Sequence, residues 1–170
     1  AGHGKVSASA DFEASLRDVV SRKLGRILVS DVRLNQVAGW LARQAGSGRP
    51  SDRGAVRDRL WREGVIDFEF SPISLVVPED GSAESASSAL LEVLNDSSVP
   101  WSRYNTLAVA TASMPGTVGV GLILLRRVAR IQGGGVGGNK NHSMTITLSG
   151  DYRDPRLFIT APHGRVASRD

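Results

Sequence analysis

Apolar side chains recur at helical spacing through the first third of the chain, and the pattern predicts three helices before any strand. Phe12, Leu16, Val19, Val20 and Leu24 mark a helix over residues 10–24, with Gly25 as its stop. Ser30 can accept the free amides at the start of a second helix, whose inner stripe is Leu34, Val37, Ala38, Leu41 and Ala45 and which ends at the Gly46–Pro50 loop. Ser51 opens a third, with Val56 and Leu60 inward and Gly64 at its end, where a left-handed residue is wanted.

From Val65 the period falls to two: Ile66, Phe68 and Phe70 point one way, Asp67, Glu69 and Ser71 the other. Pro72 interrupts this strand, after which Ile73, Leu75 and Val76 continue an extended segment to Pro78. Asp80-Gly81-Ser82 then leads into a fourth helix with Ala86, Ala89, Leu90, Val93 and Leu94 on one face, ended by Asn95-Asp96-Ser97-Ser98. Residues 105–112 alternate weakly. The run from Thr117 to Ile131 sets Val118, Val120, Leu122 and Leu124 on one face against Gly119, Gly121, Ile123 and Leu125 on the other. A strand dry on both faces lies in the middle of a sheet covered twice, and its glycines imply close approach of a neighbouring layer. The expected fold class is α+β, a three-layer α-β-α sandwich with a mostly antiparallel central sheet.

The spans follow from the same pattern. Residues 1–9 are small and polar and read as a flexible lead-in, and residues 10–131 hold the layered domain. Residues 132–142 are a glycine-rich loop or linker. In residues 143–170, Met144–Leu148 and Leu157–Thr160 read as strands joined by an Asp151–Pro155 turn, either completing the sheet or opening a second domain.

Composition removes whole classes of chemistry. With no cysteine there is no disulfide framework, thiolate metal site or cysteine nucleophile. His3, His142 and His163 are all the imidazole present, so zinc sites and triads lack their usual ligand and proton shuttle between residues 4 and 141. The most apolar run, Thr117–Leu125, stops at Arg126 and Arg127, well short of the roughly 18 residues that span a membrane. The net charge of +4 is carried mostly by arginines interleaved with Asp and Glu, as along Arg53–Glu63, which reads as a solvated helix face. This favours an anionic surface such as a membrane or envelope polymer over nucleic acid.

Three motifs fail their own tests. Gly134–Lys140 lacks the Gly-Lys-Ser/Thr that opens a helix in a phosphate loop. Gly116–Gly121 lies within strand pattern and opens no helix, unlike a dinucleotide fingerprint. Neither Gly-x-Ser-x-Gly nor Ser-x-x-Lys occurs. The acids Glu63, Glu69 and Glu84 fall close enough in sequence to supply a hydrolytic pair, with Arg103 as an oxyanion or substrate clamp.

Four segments, Leu34-Asn35-Gln36-Val37-Ala38-Gly39-Trp40-Leu41-Ala42, Arg59-Leu60-Trp61-Arg62-Glu63-Gly64, residues 94–105 around Pro100-Trp101-Ser102-Arg103-Tyr104-Asn105, and Val118-Gly119-Val120-Gly121, resemble in order the CAP superfamily. This is the group of cysteine-rich secretory, antigen 5 and pathogenesis-related proteins. The resemblance covers residues 10–131 and implies an α-β-α sandwich, secreted or periplasmic. The family's cleft carries two histidines and acidic partners, able in some members to hold a divalent metal. Here the first histidine position falls on Leu41 and the second on Ser102, or by a shift of register on Trp101, while the acid falls near Ser71-Pro72-Ile73. No shift restores an imidazole. The resemblance therefore implies a scaffold with no metal and no cofactor, whose cleft candidates Leu41, Ser71, Trp101, Ser102, Arg103 and Tyr104 suit a lipid tail, a peptide or a glycan ring.

Three readings follow. The first is a non-catalytic extracytoplasmic binding module for a protein, envelope polymer or lipid. The second is a hydrolase using the acid pair, and the third is a basic nucleic-acid-binding domain.

Overall fold

Helix α1 (Ala10–Leu24) starts where the Ser9 hydroxyl accepts the Phe12 N–H at 3.2 Å and stops at Gly25, whose φ of 65° lets the chain turn back on the last carbonyls. The computed structural model describes residues 6–49, 51–65, 67, 69–132, 145–148, 157–160 and 166–169. Helices α2 (Val32–Gly46) and α3 (Arg53–Arg62) begin one residue later than the serines suggest, because Asp31 and Asp52 take the capping positions. Their carboxylates accept Arg33 N–H and Ala55 N–H, both at 2.8 Å. Helix α4 (Ala83–Leu94) is capped by Ser82.

Strand β1 (Phe70–Pro78) begins five residues later than the alternation at Val65 predicts, and Pro72 lies inside it rather than breaking it. It pairs antiparallel with β3 (Thr117–Leu125), which also pairs antiparallel with β2 (Thr106–Met114), giving the order β1-β3-β2. Arg126 N–H donates to Glu69 O at 2.9 Å, so odd-numbered residues of β1 face the ladder and even-numbered ones face outward. Pro72, opposite Ile123, is therefore a residue whose missing N–H has no ladder partner to lose.

The central strand β3 is buried from Val118 to Leu125. Val118, Val120, Leu122 and Leu124 join α1 and α4 in one core, with Leu16, Val20, Leu90 and Leu94. Ile123 and Leu125 join α2 and α3 in the other, with Leu34, Val37, Leu41 and Leu60. The predicted α+β class and its three layers are what the chain adopts. The close approach at the glycines is equally literal. The carbonyl oxygens of Ala42 and Ala38 stand where Cβ atoms on Gly119 and Gly121 would have to be, so α2 lies backbone-to-backbone on the sheet.

Two local expectations need correction. Val6, placed in a lead-in, is buried in the first core and donates to Gly81 O at 3.3 Å, and Ser9 is a cap rather than spacer. The run 117–131 is two strands, because β3 ends at Leu125 and β4 (Ala129–Gln132) pairs elsewhere. The chain divides into two compact units, Ala1–Arg127 and Val128–Asp170. In the second, β4 pairs antiparallel with β5 (Thr145–Leu148), and β6 (Leu157–Thr160) with β7 (Val166–Arg169), in two two-stranded sheets. Strand β7 was not expected. The glycine-rich run 133–142, the Asp151–Pro155 turn and all three histidines lie outside the described residues.

Candidate functional site

One end of the sheet collects the ionic side chains. Phe70, Leu125 and Thr106 share a register there, so the residues before β1, before β2 and after β3 converge. Asn105 extends the ladder by one rung: its side-chain amide donates to Arg127 O and its oxygen accepts Arg127 N–H, both at 2.8 Å.

Arg127 is thereby aimed at Asp31, with which it forms an ion pair, and its Nε lies 3.6 Å from Asp67. Asp31 also accepts from Arg33, at 3.2 Å. The side chains of Arg127 and Asp31 are only 13% and 10% exposed. Burial pushes the Asp31 carboxyl toward its neutral form, but the hydrogen bonds from Arg33 and Arg127 outweigh it and hold the group well below the usual carboxylate range.

A second cluster surrounds Glu69, which pairs with Arg126 at 2.9 Å and Arg103 at 3.6 Å. Tyr104 is buried beside it, its ring 6.1 Å from that of Trp101. Burial and then the Glu69 charge raise the Tyr104 phenol above its ordinary value, against the pull of Arg53, the Ser71 hydroxyl and Arg103. Arg53 stacks on the Phe70 ring with its guanidinium carbon 4.5 Å from the centroid.

The expected site residues are only partly gathered. Glu69, Ser71, Arg103 and Tyr104 meet at this sheet end, and Trp101 joins them through Tyr104. Trp101 is itself pinned, its indole N–H donating to Asp96 O at 2.9 Å and its carbonyl accepting from Arg26 at 3.0 Å. Ser102 is exposed on the single 3₁₀ turn Trp101–Arg103. Leu41 is 1% exposed and is part of the core between α2 and the sheet, not a cleft wall. The three acids do not form a pair. Glu63 closes α3 and binds Arg59 at 3.0 Å, Glu69 is held by two arginines, and Glu84 stands in the first turn of α4 on the opposite layer.

An open concavity among the described residues lies elsewhere, a groove of about 810 Å³ between α1 and α4. Ser15, Asp18, Arg22, Glu84, Ser87 and Leu91 are among its walls. Of the residues proposed from sequence, only Glu84 lines it.

The divalent metal of the resembled family does not fit the residues here. Its positions hold a buried aliphatic side chain, a serine hydroxyl and, from Trp101 or Ser102, an indole or a second hydroxyl, none of which is a strong ligand for such a cation. Among the described residues, no group of three or more His, Cys, Asp or Glu is placed to hold a metal ion. Nor, among them, is any helix long and apolar enough to cross a membrane.

Sequence reasoning missed the Asp31–Arg127–Asp67 cluster and the α1–α4 groove. Asp31 did carry a signal, since it stands immediately before the first residue of α2.

No protein-family model matches the chain, and no curated protein does. Among solved structures, the chain is similar to a cysteine-rich secretory protein from Staphylococcus aureus, with a TM-score of 0.54 at 19% identity over 72% of this chain and 40% of that one. The chain thus spans well under half the length of the protein it matches. At that identity the likeness shows the fold, which is CAP-like.

Proposed function

We propose that this chain is a non-catalytic, extracytoplasmic binding module built on the CAP scaffold, whose partner is a protein, an envelope polymer or a lipid. One observation carries the reading: each candidate acid is either tied to arginine or set apart from the others. Glu69 lies between Arg103 and Arg126, Glu63 is held by Arg59, and Glu84 faces the other layer. A hydrolytic pair needs two carboxyl groups facing one bond at about 5–9.5 Å, one of them free to hold a proton at neutral pH. Both oxygens of Glu69 face guanidinium nitrogens, Arg126 at 2.9 Å and Arg103 at 3.6 Å, and among the described residues neither faces a second carboxylate. The fold shared with a secretory protein supports the extracytoplasmic placement.

The test is a variant carrying Glu63→Gln, Glu69→Gln and Glu84→Gln together. Binding to purified envelope polymer and to lipid vesicles is expected to persist in it. A chemical change in either probe, seen with the parent chain and lost on Glu69→Gln alone, would overturn the reading in favour of a hydrolase. Calorimetry of a His3→Ala variant with zinc is expected to show no stoichiometric site.

A further inference from the structure

Between α1 and α2 the chain runs Arg26-Ile27-Leu28-Val29-Ser30-Asp31-Val32-Arg33. This connection is anchored. Leu28 turns into the core, and Val29 is pinned beside β2, donating to Asn105 O at 3.0 Å and accepting from Leu107 N–H at 2.9 Å. Despite the anchoring, Ile27, Val29 and Val32 stand outward at 95%, 56% and 72% exposure. Single exposed aliphatics are ordinary, but three in six consecutive residues held in place by backbone bonds form an apolar projection that calls for a partner.

The charges around it specify that partner. From residue 22 to 33 there are four bases, Arg22, Lys23, Arg26 and Arg33, and one acid, Asp31. Asp31 lies between Arg127 and Arg33 and its charge is matched there, which leaves the segment with a net positive charge. What faces out is aliphatic at the tip and cationic at its base, because Arg22 and Lys23 are exposed in the last turn of α1 and Arg33, which shares Asp31 with Arg127, keeps about half of its side chain in solvent. Aliphatic side chains partition into the acyl boundary of a bilayer while arginine and lysine, on long stems, stay at the level of the phosphates. A protein pocket would match the same surface only with an acidic rim of its own, whereas an anionic bilayer supplies both layers at once.

We propose that the α1–α2 connection is a membrane-contact tip that docks the Ala1–Arg127 unit on a bilayer surface rich in anionic lipid. The proposal develops the lipid arm of the binding-module reading, on a surface other than the sheet-end clusters. If vesicles fail to bind, that reading keeps its protein and polymer partners; if catalysis is found, the tip is unaffected.

The full chain is sedimented with phosphatidylcholine vesicles, with and without about one-third phosphatidylglycerol. Binding is expected to the anionic vesicles, to weaken steeply with salt, and to fall at least about tenfold in the double variant Ile27→Ser, Val32→Ser, whose outward side chains leave the core untouched. Val76→Ser, which removes an exposed aliphatic from β1, is expected to bind like the parent chain. Circular dichroism and the melting temperature monitor folding in each variant. No binding at low salt, or equal binding by parent and double variant, overturns the proposal. So does self-association of the parent that the double variant abolishes, since the tip would then meet a second copy.

Discussion

The carboxylate of Glu13, reaching across from α1, accepts both the backbone N–H of Thr111 at 2.7 Å and its hydroxyl at 2.9 Å. Leu107 N–H points away from β3 toward Val29, so odd-numbered residues of β2, Thr111 among them, face the open side of the sheet. Glu13 thus occupies a backbone donor that would otherwise be available to another strand. On the opposite margin, Pro72 and Pro78 are outward-facing residues of β1 with no N–H to offer.

Replacing Glu13 with alanine strips the Thr111 amide of its acceptor in a half-buried position. The expected loss is about 1–3 kcal/mol in urea denaturation, with a smaller loss for Glu13→Gln, which keeps an oxygen there. An unchanged midpoint in Glu13→Ala would show that the contact contributes nothing.

Asp31 makes stability depend on acid. Its folded-state carboxyl is held below the ordinary value near 4, so the contribution is present in full above that value and is lost as pH falls through the folded one. Asp31→Asn is expected to be less stable than the parent by about 1–3 kcal/mol at pH 7, because it removes one of the two carboxylates that face the buried Arg127. The gap is expected to narrow below about pH 4. Parallel denaturation curves for the two proteins across that range are the measurement, and a gap independent of pH refutes the assignment.

At the alkaline end Tyr104 works in the other direction. Its phenol is raised, mainly by burial, so its contribution is intact below the ordinary value near 10 and declines as pH rises above it. Tyr104→Phe is expected to abolish that decline, as read by melting temperature between about pH 9 and 11.

Gly119→Ala and Gly121→Ala are expected to be the most damaging small substitutions in the sheet, at about 3 kcal/mol or more, since the new methyl group meets the backbone of α2. Gly116→Ala provides the contrast. Nothing lies near its absent Cβ, and only its φ of 75° opposes the change, so about 1 kcal/mol is expected in the same urea experiment.

Strand β3 was legible because a run of apolar residues broken by glycine admits one explanation, a central strand under a close helix. The helices were legible to within a residue. Ser30 and Ser51 each precede an aspartate, and all four residues are able caps, so the caps were misplaced by one position. Strand β1 was misjudged because alternation at 65–71 continued past the true start and Pro72 looked like a break; only its outward edge position makes it acceptable. The ionic clusters were out of reach for a different reason. Asp31 and Arg127 are 96 residues apart, and no periodicity links a helix cap to the residue after a strand. The exposed tip escaped notice since Leu28 and Val29 resemble core residues until their directions are known.

The two helical layers are joined to the sheet in unlike ways. With no side chain between Gly119 or Gly121 and the α2 backbone, there is nothing compressible in that seam, and helix and strand are bound to shift as one plate. On the far side, bulky aliphatics and an open trough separate α1 and α4. Breathing motions of this unit therefore belong to the α1–α4 half, and amide hydrogens there should exchange with solvent long before those at the glycine seam.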